Sequence, residues 1–388
     1  MMKTKTKKLL TSGIALLTIA TLAACSSAQG QTQTSKTITS SQVMTTNSST
    51  SNTASTSSID WSSLPSQEVT LSDEGLTITE GGTYILSGST TKGVTIDTQE
   101  NVRLILAGAT ISSTDTAAIN ILSADNLEIN LQDGTENTVS DTSTHSDTDI
   151  EGAIHSESDL VITGNGKLTV EGNFQDGIVS TDDLTIEAGN ITVTAQDDGI
   201  RGKDSLTITG GRIDVTAGGD GIKATNDEDT TKGNTTITGG TITVTAGDDG
   251  IKAESALTIE DGSITVTEST EALEGTNITI NGGTLDVYGS DDAINAASDT
   301  ASDIFIKVTG GDLTVAVGNG DTDAFDSNGD LIISGGTIDI TAPTSAFDFD
   351  GSVSFTGGDV TVNGQIQTEI VQTGPGAMGG APGGRGGW

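Results

Sequence analysis

Acidic residues recur at one position of a repeat in this chain, and they are its strongest chemical signal. In "GGTITVTAGDDGIKAESALTI", Asp248 and Asp249 stand between two runs of alternating apolar residues, and nearly the same arrangement returns about 22 residues away on either side. Carboxylates in such a pattern can coordinate hard cations, or they can form turns with the glycine that follows. The acids directly before "GI" or its equivalent are Asp176, Asp198, Asp220, Asp249, Glu271, Asp292 and Asp323, and Asp197, Asp248 and Asp291 double three of them.

These acids can act together only if the repeats bring them together. The unit "TTITGGTITVTAGDDGIKAESA", which begins at Thr235, holds three short strand patterns, and glycine stands in two of the breaks. Strands this short cannot bury an apolar face alone, so neighbouring units must stack. We predict an all-β fold, a right-handed three-sided parallel β-helix (solenoid) with coils of about 22 residues. The expected interior of this unit is Ile237, Ile242, Val244, Ile251 and Ala253.

Three stretches add residues to the coil length of about 22, and we expect them to form loops outside the strands. They are Thr142 to Ile150, the sequence "NDEDTTKGN" that begins at Asn226, and a lengthened turn from Ser298 to Asp303. The less regular residues 68–159 still alternate, and we interpret them as the first coils of the same domain.

Stacking would place the acids in one column along a turn. Unpaired charges one coil apart would repel by about 1 kcal/mol in water, or by about 3–4 kcal/mol at an effective dielectric near 20. Countercharge can come from Arg201, Lys223 and Lys252, which follow the acids closely and are the candidate ligand-binding residues. It can also come from Ca²⁺, which takes carboxylate and carbonyl oxygens. The predicted metal ligands are Asp176, Asp197, Asp198, Asp220, Asp248, Asp249, Asp291 and Asp292.

The alternative is that each Asp-Gly pair only forms a turn. Zinc is disfavoured, because the chain has two His and one Cys, and that Cys has another expected role. The formal net charge of −38 disfavours nucleic acid and anionic membrane surfaces as partners. It favours cations, or anionic polymers bridged by cations. We expect a monomer.

The two ends of the chain differ in composition from the repeats. Lysines at positions 3, 5, 7 and 8 precede an apolar stretch of signal-peptide type, and Leu22-Ala23-Ala24-Cys25 resembles the bacterial lipobox. That resemblance implies lipidation of Cys25 and a location on the extracellular face of the bacterial cell membrane, with the lipid as the only membrane contact. A chance Cys after a signal peptide is the alternative. The predicted segments are 1–25 (lipoprotein signal peptide), 26–67 (Ser/Thr-rich tether), 68–370 (parallel β-helix domain) and 371–388 (Gly-rich disordered tail).

The repeats also resemble a known family. The runs "NFQDGIVSTDDLTI", "QDDGIRGKDSLTI" and "GDDGIKAE", with the upstream "AAINILSADNLEINLQDGTENTVSD", are similar to bacterial surface proteins called carbohydrate-binding domain-containing proteins. The resemblance covers about residues 68–290. It implies a fold like that of pectate lyases, calcium binding at the acidic turns, plant-type polysaccharides as ligands and no established catalysis. Glu271 in "ESTEALEG" and the stretch "PTSAFDF" depart from the D-D-G pattern.

Three functions are compatible with these features. The first is a non-catalytic surface protein that binds acidic, polyuronate-like polysaccharide through calcium, and it is the one that we predict. The second is a calcium-dependent polysaccharide lyase, in which Lys223, Lys252 or Arg201 would supply the base; neighbouring carboxylates raise a lysine pKa and make it a poor base. The third is an adhesin whose repeats serve as a structural spacer.

Overall fold

The structure, a computed structural model, describes residues 59–373 apart from Asp227 and Asp321. The predicted signal peptide, Cys25, and most of the predicted tether and tail lie outside these residues. Among the residues described, no helix has the length and apolar character needed to cross a lipid bilayer. The helical element in this part of the chain is a 3-10 turn, Trp61–Ser63, which Asp60 caps through its side chain.

Short strands follow from the alternation of Val, Ile, Leu and Thr, which suits a pleated and half-buried surface. Glycines separate the strands where the backbone needs a positive φ, as at Gly240 (φ 99°). The strands are β1 (Ser66–Leu71), β2 (Leu76–Ile78), β3 (Gly82–Thr90), β4 (Val94–Asp97), β5 (Val102–Ser112), β6 (Ile119–Ser123), β7 (Leu127–Leu131), β8 (Glu136–Ser140), β9 (Gly152–Ser156), β10 (Leu160–Gly164), β11 (Lys167–Gly172), β12 (Asp176–Ser180), β13 (Asp183–Ile186), β14 (Asn190–Ala195), β15 (Ile200–Gly202), β16 (Ser205–Ile208), β17 (Arg212–Ala217), β18 (Ile222–Ala224), β19 (Asn234–Ile237), β20 (Thr241–Thr245), β21 (Ile251–Ile259), β22 (Ser263–Glu268), β23 (Leu273–Ile280), β24 (Thr284–Gly289), β25 (Ile294–Ala296), β26 (Phe305–Val308), β27 (Asp312–Val317), β28 (Asp323–Ser327), β29 (Asp330–Thr341), β30 (Ser345–Phe349), β31 (Val353–Val362) and β32 (Gln365–Ile366).

The strands form three parallel sheets, and each coil visits them in the same order. The first sheet contains β2, β4, β6, β9, β12, β15, β18, β25, β28, β30 and the first parts of β21 and β23. The second sheet includes β7, β10, β13, β16, β19 and β26. The third sheet includes β8, β11, β14, β17, β20, β22, β24 and β27. The fold class predicted from the repeats is confirmed.

Apolar side chains of successive coils stack inside the three sheets. Ile200 pairs in register with Ile222, which pairs with Ile251, and all three are fully buried. Each buried Ile contributes about 1.5–3 kcal/mol relative to an exposed one, so the stack is the main source of stability. The predicted interior of the Thr235 unit is confirmed, since its members are at most 2 % exposed: Ile237, Ile242, Val244, Ile251 and Ala253.

The ends of the described solenoid are covered by short segments of the same chain. At the start, the guanidinium of Arg103 lies 5.9 Å from the ring centre of Trp61. At the end, β32 turns back and pairs antiparallel with β31. The N–H of Thr373 then donates to the carbonyl of Phe347 in β30 at 3.0 Å. The strands thus begin at Ser66, two residues before the predicted boundary, and contacts with the last coil reach residue 373.

Apart from Asn234, which begins β19, the described residues of the three stretches predicted to loop out lie outside the strands, as predicted. One joins β8 to β9, the second joins β18 to β19, and the third joins β25 to β26. The first loop lies between the third and first sheets, whereas the other two lie between the first and second sheets. Insertions are therefore confined to two corners of the coil.

A column of small residues lies at the start of the first-sheet strands. A Cβ added to Gly221 would lie 2.2 Å from Cγ1 of Val244 and 2.6 Å from the carbonyl oxygen of Gly250. Both distances are far below van der Waals contact. Val244 of the third sheet therefore leaves no room for a side chain at position 221. In later coils this position is Ala272 and Ala293, both fully buried. The position thus holds glycine in the "DGI" coils and the next smallest residue, alanine, in "EAL" and "DAI".

We predict that Gly221→Ala destabilises the protein by about 1–3 kcal/mol, because the added methyl group overpacks the junction of two sheets. Urea unfolding followed by circular dichroism measures the change. Thr243→Ala, on the outward side of β20, is the control and is expected to change the free energy of unfolding by less than about 0.5 kcal/mol. Equal stability of the two variants would contradict the packing argument.

Candidate functional site

The acids stand at the turn that joins the third sheet to the first sheet of the next coil. β14 ends at Ala195, and β15 begins at Ile200, with Asp197 and Asp198 between them. The turn has two rows of acids that differ in exposure. The inner row is Asp176, Asp198, Asp220, Asp249, Glu271, Asp292 and Asp323, of which the first four are 1–4 % exposed, and the outer row is Asp197, Asp248 and Asp291, which are exposed.

Each carboxylate in the first part of the inner row accepts a hydrogen bond from the backbone of the next coil. The N–H of Asp198 donates to Oδ1 of Asp176 at 3.1 Å. The N–H groups of Asp220 and Asp249 donate to Oδ1 of the preceding acid, each at 3.0 Å. A backbone N–H favours the ionised carboxylate, so these bonds offset part of the cost of burying it. The inner row is therefore a structural ladder as well as a column of charge.

Lys223 supplies the positive charge at the centre of this ladder. Its Nζ lies 2.6 Å from Oδ2 of Asp198 and 2.9 Å from Oδ2 of Asp220. The two oxygens of each Asp thus face different partners, one a backbone N–H and the other an ammonium group. Burial alone would lower the pKa of Lys223, but the charges of Asp220 and Asp198 outweigh burial and raise it. Lys223 is consequently held in its charged form.

The other two predicted cations occupy the same register as Lys223. Arg201 contacts Asp176, with Nη2 3.2 Å from Oδ2, and it also pairs with Glu151. Lys252 lies 2.7 Å from Oδ2 of Asp249 and also pairs with Glu274. The predicted basic column beside the acids is confirmed. Its role toward a ligand stays a prediction.

At the turn before β21, carboxylates of the outer row and the inner row lie close together. One carboxylate oxygen from each of Asp220, Asp248 and Asp249 lies within 4.8 Å of the other two. Asp248 is exposed, whereas the other two are buried, so the cluster opens to solvent on one side. Burial and the charge of Asp249 raise the pKa of Asp248, which indicates uncompensated negative charge.

The outer row is interrupted by Gly219, one coil before Asp248. A Cβ at this glycine would lie 2.4 Å from Oδ1 of Asp197 and 2.8 Å from Oδ1 of Asp198. Gly219 thus leaves a small space bordered by carboxylate oxygens of the preceding coil. Carboxylate and peptide oxygens are the donors that Ca²⁺ prefers, and the irregular spacing suits its flexible coordination. The residues present therefore fit a calcium ion.

A second carboxylate cluster follows one coil later. Oxygens of Asp249, Glu271 and Glu274 lie within 4.8 Å of one another. Burial and the neighbouring Asp249 raise the pKa of Glu271 to about 9 and that of Glu274 to about 8. The cation in contact with this cluster is Lys252, which pairs with Asp249 and Glu274.

The coils after Lys252 replace the basic column with acids and amides. Glu274 pairs in register with Lys252, Asn295 follows, and Asp326 comes next. Burial raises the pKa of Asp326 to about 7, and the charge of the nearby Asp292 adds to the shift. The end of the acid column therefore lacks the lysines that neutralise its centre.

Glu274 and Asp326 were missed by the sequence reasoning, although a signal existed. Both stand three residues after an inner-row acid, as do Arg201, Lys223 and Lys252. The structure does not group every predicted ligand. Asp291 is exposed and Asp292 contacts Asp326, but neither belongs to a cluster of three acids among the described residues.

Another acidic group lies at the corner between the first and second sheets. Oxygens of Asp159, Asp182 and Asp183 approach within 4.8 Å of one another. In the next coils this corner is closed by Asp204, which accepts from Nδ2 of Asn226 at 2.6 Å and pairs with a lysine of the following loop. These contacts are typical of turn capping.

Comparison with known proteins agrees with this architecture. The profile of the family called carbohydrate-binding domain-containing protein matches residues 72–324, well over half of the chain. The chain belongs to this family.

Two similar proteins are informative. A curated protein of the same description from Acetivibrio thermocellus is 37 % identical over 135 residues, which cover 33 % of this chain and 47 % of the relative. The chain thus spans about half the length of that relative. The polysaccharide lyase-like protein from C. thermocellum, solved as a gadolinium derivative, is 34 % identical with a TM-score of 0.52; the match covers 57 % of this chain and 95 % of that one.

Two buried histidines lie one coil before the acid column. His145 lies in the loop before β9, with Nδ1 2.5 Å from the carbonyl of Ile150 and Nε2 3.0 Å from Oδ2 of Asp141. Its ring stacks on Phe174 at 4.3 Å. His155 in β9 is 2 % exposed, and burial lowers its pKa to about 4. These contacts of His145 hold the loop against Asp141 and Phe174.

We predict that Lys223→Met lowers the free energy of unfolding by about 2–3 kcal/mol, because two buried carboxylates lose their shared cation. Chemical denaturation in the presence of a chelator measures the change. Lys203→Met is the matched control, since Lys203 lies 3.7 Å from Glu228 and both side chains are exposed. The control is expected to lose less than about 1 kcal/mol. Similar losses in both variants would argue against the ladder.

We predict that His155→Val makes stability less dependent on pH. The folded pKa of His155 is about 4 and its ordinary value is 6.5, so the fold favours the neutral ring. That stabilisation is fully present above pH 6.5 and is lost as the pH falls toward 4, by about 3 kcal/mol in total. Valine already occupies the equivalent position in the next coil, Val179. Melting temperatures across this range test the prediction, and parallel curves for both proteins would refute it.

Proposed function

We propose that this protein is a non-catalytic, cell-surface protein that binds acidic polysaccharide through calcium held at the outer and inner rows of acids. The observation that carries the proposal is the grouping of Asp220, Asp248 and Asp249, with one oxygen each within 4.8 Å of the others at an open edge. A chain of net charge −38 needs a cation between itself and an acidic polymer.

The donor set supports calcium rather than a softer metal. The ligands would be Asp220, Asp248 and Asp249, and carboxylate oxygens of Asp197 and Asp198 border the space at Gly219. When bound, Ca²⁺ supplies positive charge and open coordination positions that a sugar carboxylate can take. The protein's own residues set the position of the site, because the backbone hydrogen bonds hold the inner row at a fixed spacing. Asp248, which is exposed, is the residue best placed to meet both ion and solvent.

One similar solved structure is of a protein that carried a hard cation. That polysaccharide lyase-like protein was solved as a gadolinium derivative, and gadolinium ions, like Ca²⁺, prefer oxygen ligands. Its description also leaves a lyase as the rival activity. A lyase needs a base, and Lys223 and Lys252 are both held between carboxylates that raise the pKa of the ammonium group. This environment favours binding over proton abstraction.

The location is proposed from the sequence. A lipid on Cys25 would attach the protein to the outer face of the bacterial membrane, and residues 26–67 would separate the binding domain from the lipid. The anchor places the domain where polysaccharides occur. Incorporation of a radiolabelled fatty acid into the wild-type protein and into Cys25→Ser, expressed with the native leader, would test it.

We predict that calcium raises the melting temperature of the wild-type protein measured after chelation, because an ion that binds only the folded state stabilises it by about 2.7 kcal/mol at 100 times its Kd. Asp248→Asn should abolish most of the shift and also the calcium-dependent retention on a polygalacturonate matrix. Asp286→Asn is the matched control, since Asp286 is an exposed acid on the third sheet, away from the turn.

The outcomes separate the three functions. A melting temperature unaffected by calcium, together with no retention on polygalacturonate, would leave the spacer as the better interpretation. Release of unsaturated products that absorb in the ultraviolet would instead identify a lyase. An equal calcium response in the Asp248 and Asp286 variants would move the metal site away from the proposed cluster.

A further inference from the structure

A broad groove crosses the corner between the first and second sheets, and Lys252 and Glu274 beside the acidic turn are among its lining residues. Its volume is about 1130 Å³, close to the upper range of ligand sites in proteins. The loop before β19 contributes Thr230 and Thr231 to one wall, and the loop before β26 contributes Ser298 and Thr300 to the other. These loops are three coils apart, which corresponds to about 14 Å along the stack. Segments distant in sequence thus form one site.

The floor of the groove is formed by two coils that carry no loop at this corner. β21 (Ile251–Ile259) and β23 (Leu273–Ile280) each run without a break from the first sheet into the second. Their outward side chains at the corner are small or polar: Ser255, Ala256, Thr276 and Asn277. Earlier coils place a turn here, as between β15 and β16. A long, shallow floor of this kind suits an extended chain rather than a compact molecule.

Hydrogen bonds hold the walls in place, so the groove is preformed. Ser255 donates its hydroxyl to the carbonyl of Thr230 at 3.0 Å, which ties the first wall to the floor. Oδ1 of Asn226 accepts the N–H of Asp229 at 3.0 Å within that loop. In the second wall, Oγ of Ser298 accepts the N–H of Ala301 at 3.1 Å. A site that is ordered before binding loses little entropy when its ligand arrives.

The lining chemistry identifies the class of ligand. Hydroxyl and amide groups predominate, and none of the lining residues that the structure describes is aromatic. Oδ1 of Asn277 in the floor has no hydrogen-bond partner, so a small rotation of this side chain would offer an acceptor to a ligand hydroxyl. The lining also includes four carboxylates and one ammonium group, and this balance repels anions: Glu254, Glu274, Asp299, Asp303 and Lys252.

We propose that this groove binds a neutral, hydroxyl-rich oligosaccharide segment, without calcium. The proposal rests on saccharide binding as the function of the protein, but it does not depend on the metal at the acidic turn. A polymer with acidic and neutral parts could then contact both corners of the coil. The groove would bind the neutral part through hydrogen bonds from both loops and from the floor.

The experiment uses the full chain and two kinds of variant. Ala256→Trp fills the floor of the groove, and Thr207→Trp places the same side chain on the outward face of β16, outside the groove. Isothermal titration calorimetry with neutral cello- and xylo-oligosaccharides, in the presence of a chelator, measures the affinity of the groove for neutral sugar. Retention on polygalacturonate in the presence of calcium separately measures the binding of acidic polysaccharide at the acidic turn. We expect Ala256→Trp to weaken neutral-sugar binding by about tenfold or more, and Thr207→Trp to leave it unchanged.

Each other outcome counts against the groove. If the wild-type protein binds neither neutral sugar, or if Ala256→Trp binds it normally, the groove proposal fails, while calcium-dependent retention on polygalacturonate would leave the proposed function standing. Loss of both kinds of binding in the wild type would end both proposals. Should Ala256→Trp fail to fold, Asn277→Ala decides, since unchanged affinity in that variant would also overturn the assignment.

Discussion

The hydrogen bond from a backbone N–H of one coil to a carboxylate of the coil before it is the interaction on which the acidic turn depends. A parallel solenoid places equivalent residues directly above one another, so any charge at the turn is repeated at the spacing of the strands. Asp176, Asp198 and Asp220 accept such bonds in succession. The lysine and arginine side chains then neutralise the second oxygen. Both contacts are needed because neither alone satisfies a buried carboxylate.

The balance of charge changes along the column, because some coils pair the acids with a cation and others do not. At Lys223 the acids are matched by a cation between them. From Glu274 to Asp326 the same register carries acids and an amide, and burial raises the pKa of Glu274 and of Asp326. The electrostatic environment therefore differs from coil to coil, although every coil follows the same backbone path.

The sequence predicted the architecture well because periodicity encodes it. Alternating apolar residues determine which side chains enter the core, and the recurring acids align once the coil length is known. The ladder was not predicted, since the direction of an N–H at Asp198 depends on the local turn conformation and not on the pattern. Glu274 was overlooked because its type differs from Lys252, although its register is the same. The groove could not be predicted either, since its walls come from loops that only the stacking of three coils brings together.

The antiparallel return of β32 has a consequence for association between molecules. A parallel solenoid ends in strands whose N–H and C=O groups are free to recruit another chain, and such edges promote growth into fibres. Pairing of Gln365 and Ile366 with the last part of β31 occupies one of these edges with a strand of opposite direction. A second solenoid cannot continue the parallel register through it. The short hairpin therefore occupies part of the edge at which a further parallel strand would have to pair.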